Sequence, residues 1–223
     1  MGAPTVTLDA RGTVLVLPGG GYRRHADGEA EPIAAWLREL GWNSRVVRYP
    51  VLARHPEPLR HVQHEIAEER ARGAATVGVI GFSAGGHLAG LAALTPDAAA
   101  VERPDFAILG YAVVSLLATP NPDSATVLLG PDSPRRERAA LSLETLVSPQ
   151  SPPLFIWHTA DDPTVPVWHA RALAEAMAAV GAPHELWVYP GDVHGVALAR
   201  DTPAGEWTAR AAAWLRARLA EVR

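Results

Sequence analysis

Val77-Gly78-Val79-Ile80-Gly81-Phe82-Ser83-Ala84-Gly85-Gly86-His87-Leu88 is the stretch that decides the fold. Its first four residues form a short apolar run, the kind that suits a strand buried on both faces. From Gly85 to Leu94 the small and apolar residues suit a helix. Between them Gly81-Phe82-Ser83-Ala84-Gly85 reads G-x-S-x-G. That pattern alone is weak. A strand entering it and a helix leaving it make it strong, because the chemistry needs a sharp strand-to-helix turn with the serine hydroxyl exposed at its tip. Glycines on either side permit the tight turn and the close approach of neighbouring backbone. The helix N-terminus then turns amide N–H groups toward negative charge developing at the serine. An inert serine in a glycine-rich joint is the lesser reading.

The alternation repeats outward from this turn. Residues 14–17 form an apolar run stopped by Pro18 and three glycines. A helix is expected over about 29–40, with Ile33, Trp36, Leu37 and Leu40 at helical spacing and Gly41 as its stop. Strands are expected at 45–49, 106–114, 154–157 and 185–189. Further helices are expected at 58–72, 167–180 and 206–222, the first two closed by Gly73 and Gly181. Residues 5–8 suit one more edge strand. Repeated strand-helix-strand units imply a mostly parallel sheet covered by helices on both faces. Residues 1–223 read as one domain. The Pro-, Ser- and Asp-rich part between about 115 and 151 is expected to be an irregular insertion over one end of the sheet, with a short helix near 135–141.

Composition narrows the function. The 223 residues carry 20 basic and 24 acidic side chains, a formal charge of −4, which gives no electrostatic footprint for nucleic acid. Every basic residue is Arg and none is Lys, which removes a phosphate-binding P-loop at Gly19-Gly20-Gly21. The absence of Cys excludes a thiolate nucleophile, a disulfide and thiolate-bound zinc. No apolar run approaches the ~18 residues of a membrane span. No basic flank and apolar stretch marks a secretory leader at the start, so the cytoplasm is the expected location.

A serine is a poor nucleophile until a base takes its proton. The base candidate is His194, in Pro190-Gly191-Asp192-Val193-His194-Gly195, just past the expected strand at 185–189. The acid candidates are Asp161 and Asp162, after the expected strand at 154–157; one of the two could instead cap the following helix. The order Ser, Asp, His matches that of a sheet whose strand ends collect all three at the carboxyl edge. Gly19-Gly20-Gly21 follows the strand at 14–17, and its unobstructed N–H groups suit an oxyanion.

With these motifs the chain resembles the α/β-hydrolase superfamily, and within it the small esterases related to acetylxylan esterases and feruloyl-esterase-like hydrolases. The resemblance runs through Pro18-Gly19-Gly20-Gly21-Tyr22, Asp27-Gly28-Glu29-Ala30-Glu31-Pro32, Val47-Arg48-Tyr49 and Gly81-Phe82-Ser83-Ala84-Gly85-Gly86-His87-Leu88-Ala89. It continues with Leu128-Leu129-Gly130, the stretch from Pro152 to Asp162, and residues 191–195. It implies an α/β-hydrolase fold with a minimal cap. It favours Asp162, three residues before the Val165-Pro166 pair, as the acid. It makes the backbone amides of Ala84 and of Gly20 or Gly21 the oxyanion donors. Many relatives carry His where this chain has Pro18, so a bracing role for that side chain is absent here.

The expectation is therefore a serine carboxylesterase for short acyl esters, acetylated carbohydrate among them. Ser83, Asp162 and His194 are its catalytic residues. Tyr22 and Trp168 are candidates to line the substrate pocket. Amide hydrolysis with the same triad is the alternative, and a silent binding fold the lesser one. His87 and His158 read as structural. His55, His61 and His64, with Glu65 and Glu68, invite a metal reading, and His61 and His64 share a helix face, but no third ligand is compelled, so a solvated face is preferred and no metal or other cofactor is expected. Nothing bears on oligomeric state.

Overall fold

The computed structural model describes residues 12–117 and 122–220. The edge strand expected at residues 5–8 lies outside the described residues. Among the described residues six strands form one parallel sheet: β1 (Thr13–Leu17), β2 (Asn43–Val46), β3 (Val77–Phe82), β4 (Phe106–Gly110), β5 (Leu154–Thr159) and β6 (His184–Tyr189). Their spatial order is β2-β1-β3-β4-β5-β6, every pair parallel. The long helices are α1 (Glu31–Glu39), α2 (Glu57–Ala71), α3 (Ala84–Leu94), α7 (Trp168–Ala179) and α8 (Glu206–Ala220). Three short ones, α4 (Pro122–Leu129), α5 (Arg135–Ala140) and α6 (Leu143–Leu146), lie between β4 and β5.

The strands alternate between two cores, as a sheet covered on both faces requires. Leu15 and Leu17 of β1 face a core built with Val62 and Ile66 of α2, Leu88 of α3, and Leu173 and Met177 of α7. Val14 and Val16 face the other core, with Ile33 and Leu37 of α1, and Trp207 and Leu215 of α8. The Trp157 and Trp207 rings stack there 4.9 Å apart. Helix α3 is buried on every side, which explains why its sequence carries no polar face.

Three expectations need correction. The second strand runs over Asn43–Val46 rather than 45–49, because its partner β1 ends at Leu17 and Pro18 has no N–H to extend the ladder. The fourth stops at Gly110, not 114: Tyr111 takes φ 34°, and the chain turns back so that the Val113 N–H bonds Ser83 O at 3.2 Å. The segment expected to be irregular holds three short helices: α5 is the one expected near 135–141, and α4 and α6 are additional. None is long enough to show a helical period in the sequence.

Two buried histidines give the fold an acid-sensitive component. His87 donates from Nε2 to Leu141 O and accepts the Tyr22 hydroxyl on Nδ1, both at 2.7 Å. His169 accepts the Val114 and Ser115 N–H groups on Nδ1, each at 3.1 Å. Burial pushes His87 down to about 4 and His169 to about 3. The unfolded chain binds these protons near pH 6.5, so stability is whole above that value and falls as pH drops toward 4. Urea unfolding is expected to show lower stability at pH 5 than at pH 7, with His87 and His169 contributing about 2 kcal/mol each to the loss. Equal stability at the two pH values would contradict this.

Candidate active site

The chain reverses its lateral direction at β1, which lies between β2 and β3. The loops after β1 and β3 therefore flank a crevice at the carboxyl ends of the strands. Ser83 sits between β3 and α3 with φ 52° and ψ −119°, a conformation that costs a non-glycine residue about 1 kcal/mol or more. Backbone bonds hold it there: the Ser83 N–H to Gly110 O at 3.0 Å, and the His87 N–H to Ser83 O at 3.0 Å. A Cβ on Gly85 would lie 2.1 Å from Leu17 O, so only glycine lets α3 begin against the end of β1. That approach brings the loop after β1 beside the serine. In that loop Gly20 has φ 121°, and a Cβ there would lie 2.3 Å from Arg24 O. Ala84 is the first residue of α3, so its N–H has no carbonyl one turn back to bond.

Two more loops close on Ser83. His194, after β6, places Nε2 2.8 Å from Ser83 Oγ and Nδ1 2.6 Å from Asp162 Oδ2. Asp162, after β5, is buried, while Asp161 is exposed. Asp162 Oδ1 accepts the Thr164 and Val165 N–H groups at 2.8 and 2.9 Å. Burial would raise its carboxyl; the hydrogen bonds from His158, His194 and Val165 N–H outweigh burial and hold it well below the usual carboxylate range. An ionised carboxylate can only accept, so Nδ1 of His194 carries the proton and Nε2 is free to accept from the Ser83 hydroxyl. His158 is buried behind this pair. Its Nε2–H points to Val165 O at 2.7 Å and lies 3.4 Å from Asp162 Oδ2. The Tyr111 ring meets the His194 ring edge-on at 5.0 Å.

The crevice opens as a cleft of about 390 Å3. Ser83 and His194 reach it beside Gly20 and Gly21, with Arg24, Ser124 and Thr164 around them. Ala26 is the one side chain of purely hydrocarbon character lining it among the described residues.

Two sequence expectations fail here. Tyr22 does not line the cleft: φ 58° turns its ring into the core, fully buried between Tyr49 and His87. Trp168 does not line it either; it begins α7 and stacks on the adjacent His169 at 3.9 Å. The polar helix face with His61 and His64 engages Arg45 instead, through Glu65 and Glu69. Among the described residues no three His, Asp or Glu side chains converge as metal ligands would.

One residue went unseen in the sequence. Glu29 lines the cleft yet is only 4% exposed. Its Oε2 accepts the Gly19 N–H at 2.7 Å and its Oε1 accepts the Tyr111 hydroxyl at 2.8 Å. Burial raises its carboxyl, opposed by the Tyr111 and Gly19 hydrogen bonds and by the charges of His194 and Arg24. Its sole sequence signal was its place in Asp27-Gly28-Glu29, and local polarity there reads as surface.

A family model described as the prolyl oligopeptidase family matches residues 59–221. The chain belongs to that family. The prolyl oligopeptidase family has the α/β-hydrolase fold, the parallel sheet and surrounding helices seen here. A solved structure of the acetyl ester-xyloside bifunctional hydrolase from Caldicellulosiruptor lactoaceticus superimposes with a TM-score of 0.87 and 34% identity, covering 97% of this chain and 85% of that one. Endo-1,4-beta-xylanase B from Butyrivibrio fibrisolvens is 31% identical over 219 residues, 89% of this chain and 34% of that protein. The protein named "Probable carboxylic ester hydrolase LipM" from Mycobacterium tuberculosis is 30% identical over 204 residues, 78% of this chain and 47% of that one. The chain thus spans between a third and a half of the length of the curated relatives it matches. Among the described residues no helix is long and apolar enough to cross a membrane.

Proposed function

We propose that this chain is a serine carboxylesterase that removes short acyl groups, above all acetyl, from hydroxyl groups of xylose-type sugars. The observation that carries the reading is the continuous relay Ser83 Oγ, His194 Nε2 and Nδ1, Asp162 Oδ2, with contacts of 2.8 and 2.6 Å. His194 takes the Ser83 proton as Oγ attacks the ester carbonyl. Asp162 holds the imidazole tautomer and stabilises its cationic form. Amides of Ala84 and of Gly20 or Gly21 bind the tetrahedral oxyanion, each donor contributing about 3 kcal/mol to the transition state. His194 then gives its proton to the leaving alcohol, and water repeats the steps to release the acid.

The substrate class is supported from two sides. The cleft is small and carries Arg24, Ser124 and Thr164 with Ala26 as the one hydrocarbon side chain among its described lining residues, which favours a small acyl group and a hydroxylated alcohol. The two relatives named for xylose-containing substrates match most of this chain. Amide hydrolysis is a second reading, favoured by the peptidase in the family's name.

A fluorophosphonate probe is expected to label Ser83. Across a p-nitrophenyl ester series, kcat/KM is expected to fall roughly 10-fold or more from acetate to octanoate, a scale that even one misfitted methylene can command. Acetylated xylo-oligosaccharides are expected to be cleaved, and matched formamide and peptide substrates are not. Octanoate equal to acetate, or faster amide cleavage, would overturn the assignment.

A further inference from the structure

We propose that Glu29 is a positioning residue that ties the oxyanion loop to the turn behind His194, so that both halves of the catalytic apparatus are set by one buried carboxylate. The inference rests on the esterase reading above.

One Glu29 oxygen takes the N–H of Gly19, the residue before the two glycines of the oxyanion loop, at 2.7 Å. The other takes the Tyr111 hydroxyl at 2.8 Å. Tyr111 in turn accepts the Ala197 N–H at 2.9 Å, three residues past His194, and presses its ring edge-on against the imidazole at 5.0 Å. The path from oxyanion loop to general base is therefore Gly19, Glu29, Tyr111, then His194 and the turn at Ala197. Its first three members, Gly19, Glu29 and Tyr111, are buried. Its fit around the nucleophile is close: a Cβ on Gly19 would stand 2.7 Å from Glu29 Oε2 and 3.0 Å from Ser83 Cβ. Burying a carboxylate is costly unless its oxygens are paired, and an apolar side chain would fill the space at lower cost. What the carboxylate adds is two acceptors on one rigid group, spanning segments that the sheet delivers separately. Misplacing reacting groups by about 1 Å can cost 100-fold in rate, so a brace at this point acts on the chemical step.

The test compares the wild type with Glu29→Gln, Tyr111→Phe and the double variant, each checked for native circular dichroism. Glutamine keeps the size but has one acceptor where the site needs two. Glu29→Gln is expected to lower kcat on p-nitrophenyl acetate about 10- to 100-fold with KM within about 3-fold. It should weaken a trifluoromethyl ketone, which forms a tetrahedral adduct with the serine, by a similar factor. It should also slow fluorophosphonate labelling of Ser83. Tyr111→Phe should show the same pattern more mildly, and the double variant should be little worse than Glu29→Gln, because the two residues act in one path. Wild-type kcat and labelling rate in Glu29→Gln would overturn the proposal. So would a loss confined to KM, or strictly additive effects in the double variant. Should Glu29→Gln fail to fold, Tyr111→Phe decides alone, and wild-type rates there overturn the proposal. The labelling rate needs no substrate. If the wild type is labelled but cleaves no ester, the substrate reading fails while the comparison of labelling rates still judges Glu29.

Discussion

Ser83→Ala is expected to lower kcat on p-nitrophenyl acetate by about 10^6-fold, the scale on which a serine nucleophile is lost from a working triad. The fold should survive. Among the described residues the side chain bonds His194, while the unusual backbone at Ser83 is held by Gly110, Val113 and His87 through main-chain bonds that alanine keeps. Alanine also has the same Cβ, so the positive φ costs it no more than it costs serine. Substrate affinity should change little, because Oγ gains its bond to carbon only after binding. Residual catalysis would come from the amides near Gly20 and Ala84 acting on attacking water. Steady-state kinetics on repurified protein, with a fluorophosphonate titration to count contaminating enzyme, checks the result. Turnover within tenfold of wild type would sink the nucleophile assignment and, with it, the proposed reaction.

Asp162→Asn is expected to cost about 10^4-fold in kcat. Asp162 Oδ1 accepts two main-chain N–H groups at 2.8 and 2.9 Å, and neither donor can reverse its polarity. An asparagine must keep its carbonyl there and so turns its NH2 toward His194. The imidazole can meet that donor only by moving its own proton from Nδ1 to Nε2, and then it cannot accept from Ser83. Asp161→Asn is the control. Its side chain is exposed and its N–H bonds Gly191 O at 2.9 Å, so kcat should stay near wild type. Measured side by side, the two variants separate neighbouring carboxylates that the sequence left open. A large loss at Asp161 with little at Asp162 would reverse the assignment.

That pair also shows how far the sequence was legible. The strand, serine turn and helix around residue 83 could be read directly, because each has its own local signature. So could the alternation that stacks the other loops on the same sheet edge. Choosing between Asp161 and Asp162 required the family pattern. The structure adds why the residues alone could not choose: Asp162 both accepts the turn amides, as a capping residue would, and reaches His194. Tyr22 was misread because its direction depends on a positive φ, and nothing in Gly21-Tyr22-Arg23 declares one. Trp168 was misread because sequence proximity to the acid says nothing about which side of α7 its ring takes. Tyr111 was hidden inside an apolar run that looked like uninterrupted strand. Glu29 was hidden for the opposite reason: a charged residue before a helix is usually solvated, and only the partners supplied by distant segments make its burial tolerable.

The histidine follows the outermost strand, 111 positions after the serine. During protein synthesis the hydroxyl is therefore made long before the imidazole that bonds it. At the usual ~5–20 residues per second, about 6–22 s of translation separate the two. A chain cut before β6 lacks the imidazole that bonds Ser83 Oγ. On the proposed mechanism the serine gains its base only once β6 and the loop after it have been made and have packed against the sheet.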